Sequence, residues 1–395
     1  MTDQKLKDLA ASIEPWVVET RRALHRIPEI GFQEFKTQQL IKDTLDELSI
    51  PYTTHRTWVI GLIEGGHPGA TIGLRADIDA LPITEPEHEF SSTHPGRMHA
   101  CGHDAHTAVL LGTAKLLSSI KDELHGNVKL LFQPAEEAEG GARPMIEAGA
   151  LQDPEVKRIY GIHVQPYLPS GTIETRVGAL NASTDTFKIT VHGESGHGAY
   201  PEYGRDAILA AANIITSLHQ ITSRNVSPLD SAVITVGQIN AGVACNVLCG
   251  EATIVGTLRA ITPETRALIN RRMREVAEHT AIAMGCTAEI IVDDGFSPLV
   301  NHQQPVERIL AVGERLLGAE HVLVKDAPSM GGEDYAYFLE AIPGAFYHLG
   351  CAKPGATTFH SLHNENFSID EDCLKYGIMM QSALVLDALE EENAK

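Results

Sequence analysis

The sequence is poor in basic residues. Its 395 residues include 31 Lys and Arg against 52 Asp and Glu, and the formal net charge is −21 at pH 7. The basic residues form no block. Because proteins gain affinity for nucleic acid mainly from Lys and Arg on phosphates, this deficit argues against a nucleic-acid-binding protein. The same charge would repel an anionic substrate unless cations stand close to it.

Long apolar runs are also absent. No stretch approaches the roughly 18 apolar residues of a membrane span, and residues 1–8 contain no apolar core of a signal peptide. Internal repeats and low-complexity segments are missing as well. The six cysteines match no disulfide spacing, which is typical of a reducing compartment. We therefore expect a cytoplasmic protein that makes no membrane contact.

The pattern of apolar residues predicts an α/β protein of two domains. A chain of 395 residues exceeds the size at which a single core usually stops growing. Helices and short strands alternate at both ends, and the order β-α-β-β-α-β between them is the ferredoxin-like arrangement. We expect a discontinuous domain of residues 1–180 and 295–395, with a mixed sheet flanked by helices, and an inserted α+β domain of residues 181–294.

One short segment is unusually rich in metal-ligand side chains. It is His99-Ala-Cys-Gly-His-Asp-Ala-His106, with three histidines, one cysteine and one aspartate. In an extended chain Cys101 and His103 point the same way and could bind one ion or an ion pair, while Gly102 lets the backbone bend. Asp104 could cap the helix that follows. The alternative is a buried cysteine beside incidental histidines, but the density of ligand types favours a metal site.

Further ligand-type residues follow predicted strands. Asp77 lies near the carboxyl end of a predicted strand, Thr71 to Asp79, where it could either orient a histidine ligand or form a turn. Glu136 and Glu137 follow another strand. Metal-assisted hydrolysis needs one carboxylate ligand and one proton acceptor, although most such pairs are merely solvated. His163 ends a third strand, and in this company it is interpreted as a ligand rather than a structural histidine.

Five more residues are candidates for a functional role. His363 lies in a polar loop near the end of the chain. In the predicted insert, His197 lies in a glycine-flanked loop, Asn246 precedes a strand and Arg259 ends that strand. Arg259 could hold a carboxylate through two hydrogen bonds or could be a surface residue. For His25, a surface or helix-capping role is favoured over a functional one.

Six segments, in this order, resemble the M20 metallopeptidase family, and within it the amidohydrolase branch. They are Arg75-Ala-Asp-Ile-Asp-Ala-Leu-Pro82, Met98-His-Ala-Cys-Gly-His-Asp-Ala-His106, Gln133-Pro-Ala-Glu-Glu137, Ser195-Gly-His-Gly-Ala-Tyr-Pro201, Met330-Gly-Gly-Glu-Asp334 and Leu362-His-Asn364. The resemblance covers nearly the whole chain. The branch includes hippurate hydrolases, N-acyl-amino-acid deacylases and plant auxin-conjugate hydrolases. The wider family has His at the position of Arg75 and Asp at that of Cys101, which argues against a close relation to dipeptidases or glutamate carboxypeptidases.

The resemblance implies a site with two divalent metal ions, zinc or manganese. The implied ligands are Cys101, which bridges the ions, His103, Glu137, His163 and His363. Glu136 is implied as the general base. His197 is implied to reach from the inserted domain of a partner subunit and to steady the oxyanion. Asn246 and Arg259 are implied to hold the α-carboxylate of the substrate.

These observations together predict a metal-dependent amidohydrolase, of the aminoacylase kind, that cleaves the amide bond of small N-acyl amino acids. The resemblance also implies a homodimer or higher homo-oligomer whose inserted domain is a lid and dimerisation domain. The alternatives are dipeptidase or carboxypeptidase activity, a hydrolase with Cys101 as nucleophile, and a non-catalytic binding protein on the same fold. A cysteine hydrolase would survive removal of metal, and a binding protein would have lost a ligand or the base.

Overall fold

The computed structural model describes residues 1–395. Its helices are α1 (Asp3–His25), α2 (Phe35–Glu47), α3 (His103–Ser119), α4 (Ala142–Glu147), α5 (Ala207–Arg224), α6 (Pro263–Ala283), α7 (Gln303–Leu317), α8 (Ala336–Ala341) and α9 (Cys373–Asn393). Its strands are β1 (Tyr52–His55), β2 (Trp58–Glu64), β3 (His67–Asp77), β4 (His125–Gln133), β5 (Val156–Pro169), β6 (Ile173–Thr175), β7 (Gly178–Asn181), β8 (Asp185–His192), β9 (Gly196–His197), β10 (Ala232–Ala241), β11 (Val247–Leu248), β12 (Glu251–Ala260), β13 (Thr287–Asp293), β14 (Leu299–Asn301), β15 (Val322–Val324) and β16 (Gly344–Ala352). None of the helices is both long enough and apolar enough to span a membrane.

The chain divides into two compact units. The first comprises Met1–Gly178, Asn301–Asp326 and Tyr337–Lys395, and the second comprises Ala179–Val300 and Ala327–Ala336. The short segment 327–336 joins the second unit because the amide of Ser329 donates to the carbonyl of Leu180, and its carbonyl accepts from the amide of Ala182. The sequence pattern had placed this segment in the first domain. The predicted domain limits at 181 and 294, and the lid and dimerisation role, stay predictions.

The first unit is built on one sheet of eight strands. Their order is β1-β2-β4-β3-β5-β16-β6-β15. Strands β4, β3, β5 and β16 are parallel to their neighbours in this series, whereas β1, β2 and β6 join by antiparallel pairing. The inner strands are buried along most of their length, the pattern of strands covered on both faces. This mixed sheet with its helices confirms the predicted fold class.

Helix α3 is enclosed by the first unit. Of its 17 residues only Lys115, Ser118 and Ser119 are not buried. It contacts α1, α9 and strand β3, as expected for a helix with small or apolar residues on every side. The first residue of α3 is His103, so the packing of the whole unit fixes the position of this side chain.

The second unit contains the predicted ferredoxin-like arrangement. Its four-stranded antiparallel sheet has the order β10-β12-β8-β13. Helix α5 connects β8 to β10, helix α6 connects β12 to β13, and the two helices contact each other. In β8 and β12 every second residue is buried, as expected for a sheet with one face on its helices.

One predicted strand is longer than expected. The sequence pattern ends it at residue 164, directly after His163, whereas β5 continues to Pro169. Pairing with β16 extends it, and His163 lies opposite His348 of that strand. His163 is therefore a residue of the strand interior rather than of its end.

Candidate metal centre

A tight turn before α3 sets the directions of Cys101 and His103. Gly102 lies between them at φ +88°, in the left-handed region. A Cβ atom here would lie 2.4 Å from Cγ2 of Val164 on β5, so only glycine fits. The turn brings Sγ of Cys101 within 3.3 Å of Nε2 of His163.

In His103 and His163, Nδ1 makes a hydrogen bond and Nε2 is the nitrogen left to face the Cys101 thiol. Nδ1 of His103 donates to the carbonyl and to Oδ1 of Asp79, at 3.0 and 3.1 Å. Nδ1 of His163 donates to the carbonyl of Val164 at 2.7 Å. Nε2 of His103 is buried without a hydrogen-bond partner. Metal-binding histidines are oriented in this way, with Nε2 left for the ion.

The five predicted ligands form two overlapping groups. The ligand atoms of Cys101, His103 and His163 lie within 4.8 Å of one another, and so do those of Cys101, Glu137 and His363. Oε1 of Glu137 is buried and lies 3.0 Å from Nε2 of His363. Two groups that share one thiol fit a pair of cations with a common ligand.

The carboxylates around Cys101 favour the binding of a cation. Burial, together with the carboxylates of Glu137 and Glu136, raises the pKa of the Cys101 thiol well above its usual range. Burial would lower the pKa of His103, but nearby carboxylates, Asp77 foremost, raise it to about 10. Negative charge thus exceeds positive charge at this point, and a thiolate needs a metal beside it. Thiolate and imidazole donors suit zinc, and carboxylates suit manganese as well.

A turn after β4 carries the two glutamates. Ala135 adopts φ +56°, so the chain leaves the extended conformation before Glu136. The amide of Ala135 donates to Oε1 of Glu34 at 3.0 Å, and the amide of Glu137 donates to Oδ2 of Asp79 at 2.9 Å. The carboxylate of Glu136 lies within 4.8 Å of that of Glu137. Because the backbone turns here, adjacent glutamates can face one site.

Asp77 makes no short hydrogen bond to a predicted ligand. Its Oδ1 accepts from Nδ1 of His106 at 2.6 Å, and its Oδ2 accepts from Nη1 of Arg75 at 2.7 Å. Nε2 of His103 lies 3.7 Å from Oδ2. Asp79 makes the orienting bond to His103 instead, and His106 accepts a hydrogen bond from the backbone of β5.

The sequence-based expectations for His25 and Asp104 are wrong. His25 is 2% exposed, and its ring donates to Oδ2 of Asp104 and Oε1 of Glu85, each at 2.7 Å. Oδ2 of Asp104 also pairs with Nε of Arg21 at 2.7 Å, and the Asp104 side chain caps no helix. The apolar spacing of α1 predicted the helix, but it gave no indication that the last turn lies in the core.

Three candidates belong to the second unit. His197 lies on β9, opposite Val247 of β11, and the amide of Gly198 donates to the carbonyl of Asn246 at 2.8 Å. The unit therefore brings His197 and Asn246 together. Arg259 lies on β12, and its Nη1 is buried without a hydrogen-bond partner. An unpaired guanidinium nitrogen is suited to bind a carboxylate.

Two carboxylates that hold the turn of Glu136, Asp79 and Glu34, were not among the residues predicted from the sequence. Asp79 had a visible signal, because it follows Asp77 by two residues at the end of β3. Glu34 had none, because its partner, the amide of Ala135, is 101 residues away in the chain.

Comparison with known proteins gives consistent matches over most of the chain. Residues 73–387 match the model of peptidase family M20/M25/M40. An N-acetyldiaminopimelate deacetylase of Enterococcus faecalis is 42% identical over 368 residues, covering 92% of this chain and 95% of that protein. IAA-amino acid hydrolase ILR1-like 2 of Arabidopsis thaliana is 40% identical over 400 residues, covering 99% and 90%. The crystal structure of Bacillus subtilis YXEP protein, a dinuclear metal-binding peptidase from the M20 family, superposes with a TM-score of 0.84 at 35% identity, covering 96% and 99%.

These matches confirm the resemblance inferred from six short segments. They also agree with a site built from sulfur, imidazole and carboxylate donors beside a second glutamate. The chain therefore belongs to peptidase family M20/M25/M40, and it is a metal-dependent hydrolase of amide bonds.

Proposed function

We propose that this protein hydrolyses the amide bond of N-acyl amino acids with two divalent cations. The ligands are Cys101, His103, Glu137, His163 and His363. The observation that carries the proposal is the convergence of these side chains in two groups that share the Cys101 thiol. The names of the relatives, a deacetylase and an amino-acid-conjugate hydrolase, support an N-acyl amino acid as the substrate.

Glu136 is the proposed general base. When bound, the two cations polarise the substrate carbonyl and lower the pKa of water from about 15.7 toward neutrality. Glu136 accepts the proton of the attacking water and returns it to the leaving amine. Glu34 and Asp79 bind the amides of the residues before and after it, so the backbone that carries Glu136 is held on both sides.

Residues of the second unit are proposed to bind the substrate. His197, reaching from a partner subunit, donates a hydrogen bond to the oxyanion, and the loss of one donor of this type costs about 3–4 kcal/mol of transition-state stabilisation. Arg259 binds the α-carboxylate through its unpaired Nη1, and Asn246 donates a second hydrogen bond to the same group. These donors attract the anionic substrate locally, whereas the net charge of −21 repels it.

The alternatives differ in their use of the same residues. Burial raises the pKa of the Cys101 thiol, which disfavours Cys101 as a nucleophile because the thiolate is the reactive form. A non-catalytic binding protein is disfavoured because all five ligands and the base are present. A carboxypeptidase would use the same centre and differ only in the acyl group that it accepts.

The test is the variant Glu136→Gln, assayed on N-acetyl, N-benzoyl and indole-acetyl amino acids and on dipeptides. We expect it to keep two metal ions per chain by elemental analysis and to lose turnover by about 10²–10⁴-fold, the usual contribution of a general base. Wild-type protein treated with a chelator should lose turnover and regain it with zinc or manganese.

Glu139→Gln is the matched control, because Glu139 is exposed in the same turn and should not affect turnover. Wild-type turnover in Glu136→Gln would contradict the proposal. Turnover that survives complete removal of metal would favour the cysteine nucleophile. A preference for dipeptides over every N-acyl amino acid would favour the peptidase alternative.

A homodimer or higher homo-oligomer is proposed from the surface of the second unit. Strand β10 is an edge strand, and its Val233 and Ile239 are 41% and 50% exposed. Ile208 and Leu209 at the start of α5 are also exposed. An exposed apolar edge strand offers unpaired backbone groups and apolar side chains on which another chain can pair. Light scattering should find an oligomer for the wild type and a monomer for Ile239→Glu, and a fully active monomeric wild type would contradict the role of His197 in a partner site.

A cytoplasmic location is proposed on the chemistry of the cysteines. All six cysteines are unpaired, as expected for a protein of a reducing compartment. Fractionation of the native cells should find the protein with the cytoplasmic enzymes.

A further inference from the structure

The segment before α2 packs against the turn that carries the proposed base. A Cβ atom at Gly31 would lie 2.9 Å from Cβ of Ala135, so the two backbones are in close contact. Three residues further on, Glu34 is fully buried, and its Oε1 accepts the hydrogen bond from the amide of Ala135. A buried carboxylate thus faces the residue immediately before Glu136.

The conformation of Ala135 needs such support. At φ +56° this residue lies in the left-handed region, which is unfavourable for a non-glycine residue and persists only where the surroundings hold it. Its carbonyl accepts a hydrogen bond from the amide of Gly140 at 3.0 Å, and its amide is bound by Glu34. Both backbone groups of Ala135 are therefore fixed.

Two carboxylates hold alternate amides of the turn. Glu34 binds the amide before Glu136, and Asp79 binds the amide of Glu137, the residue after it. Glu34 is itself fixed at its other oxygen, since Oε2 accepts from Oγ1 of Thr57 at 2.6 Å. The turn is thus attached at one end to Asp79, which also orients His103, and at the other end to Glu34.

We propose that Glu34 is a positioning residue for hydrolysis, which fixes the orientation of Glu136 through the amide of Ala135. The inference rests on the proposed function, in which Glu136 is the base. In this proposal Glu34 does not contact the reacting atoms, and it acts through the backbone of Ala135. Since a displacement of about 1 Å can cost about 10²-fold in rate, loss of this hydrogen bond should lower kcat by about 10–100-fold, with little change in KM or in bound metal.

The test compares substitutions at Glu34 with one at Thr57. Glu34→Ala should show the loss of kcat. Glu34→Gln should restore kcat close to the wild-type value, because its carbonyl oxygen still accepts from the Ala135 amide and its amino group donates to Thr57. Thr57→Val removes the other hydrogen bond of Glu34 and should lower stability without the loss of kcat. Glu34→Asp draws the carboxylate away from Ala135 by one methylene and should show the loss even if Glu34→Ala does not fold.

Two readouts separate positioning from a general loss of stability. Hydrogen exchange followed by mass spectrometry should find faster exchange at residues 133–140 in Glu34→Asp than in Thr57→Val. Equal kcat values in these two variants, or loss of metal in Glu34→Asp, would overturn the inference. An active Glu136→Gln variant would instead overturn the proposed function, whatever the result at Glu34.

Discussion

Gly102 separates two predicted ligands at a backbone position that no side chain fits. Gly102→Ala would place a residue with a Cβ atom at φ +88° and 2.4 Å from Val164. The unfavourable φ costs about 1 kcal/mol, and the overlap adds about 1–3 kcal/mol. We expect the free energy of unfolding to fall by about 2–4 kcal/mol in urea titrations, with loss of bound metal.

Gly355→Ala is the control for this substitution. Gly355 has a similar φ of +81°, but a Cβ atom at this position would have no neighbour within 4 Å. Only the cost of the φ angle, about 1 kcal/mol, should appear. Equal losses in the two variants would contradict the role that the structure gives to Val164.

Asp79 connects the two halves of the metal centre. Asp79→Asn keeps the size of the side chain but replaces an accepting oxygen with an amino group, so it cannot accept from both His103 and Glu137. Loss of an orienting partner of this type lowers metal affinity by about 10–100-fold. Competition with a chelator should measure this decrease.

Thr113→Val is a suitable comparison for Asp79→Asn. Thr113 makes a buried hydrogen bond to Gln381 within the same unit, at 3.1 Å. Its loss should cost about 1 kcal/mol of stability and leave metal affinity unchanged. A similar decrease of affinity in both variants would show that Asp79 acts only through stability.

The ligand-type residues of a site are easier to recognise in a sequence than the residues that orient them. Cys101 and His103 stand out because two ligand types lie close together in the chain. Asp79 lies 24 residues before His103, and Glu34 lies 101 residues before Ala135. These contacts arise from the packing of turns and helix ends that are far apart in the chain, which leaves no mark in a local window of sequence.

The last turn of α1 is held by buried charges rather than by apolar contacts alone. His25 donates to Glu85 and to Asp104, and Arg21 pairs with Asp104. Burial would raise the pKa of Glu85, but the hydrogen bond and charge of His25 lower it to about 2. A folded-state pKa below the unfolded value of about 4.5 contributes stability above that pH, and the contribution is lost as the pH falls from about 4.5 to 2.

Urea unfolding of metal-free protein between pH 7 and pH 3 should therefore distinguish the wild type from Glu85→Gln. The free energy of unfolding of the wild type should fall as the pH drops below about 4.5, because Glu85 then takes up a proton when the protein unfolds. Once the pH is low enough for Glu85 to be protonated in the folded state as well, this contribution is gone. Glu85→Gln should lack this part of the pH dependence. Parallel pH curves for the two proteins would exclude Glu85 from the acid response.

Secondary structure follows from the sequence more readily than the order of strands. The predicted strand at residues 58–64 has the bounds of β2, and the predicted β-α-β-β-α-β order is that of the second unit. The order of the eight-stranded sheet could not be predicted in this way, because β5 pairs with β16, which lies almost two hundred residues later in the chain. That pairing also extends β5 past His163, which local periodicity could not indicate.

The two units have separate cores, and only one of them contains the predicted ligands. Each unit has its own cluster of buried apolar residues, and all five ligands belong to the first unit. An ion that binds only the folded state stabilises it by about 2.7 kcal/mol at a hundredfold excess over Kd. Calorimetry should therefore find one transition that moves to lower temperature on chelation and one that does not.

The variant His197→Ala tests whether a residue of the second unit affects the response of the first unit to metal. His197 belongs to the second unit, so the chelation-sensitive transition should respond to metal as in the wild type. A shift of both transitions on chelation would mean that the cations stabilise the second unit as well.

The exposure of His363 bears on how fast the cations exchange. Cys101 and His103 are buried and His163 is half-buried, whereas the side chain of His363 is 50% exposed. An ion that leaves toward solvent is released first by its most accessible ligand. With the proposed ligands, an ion bound by Glu137 and His363 should therefore exchange faster than an ion bound by His103 and His163. Protein supplied with little metal should then be half-loaded. Its activity would follow the free metal concentration of its surroundings over the range in which the second position fills.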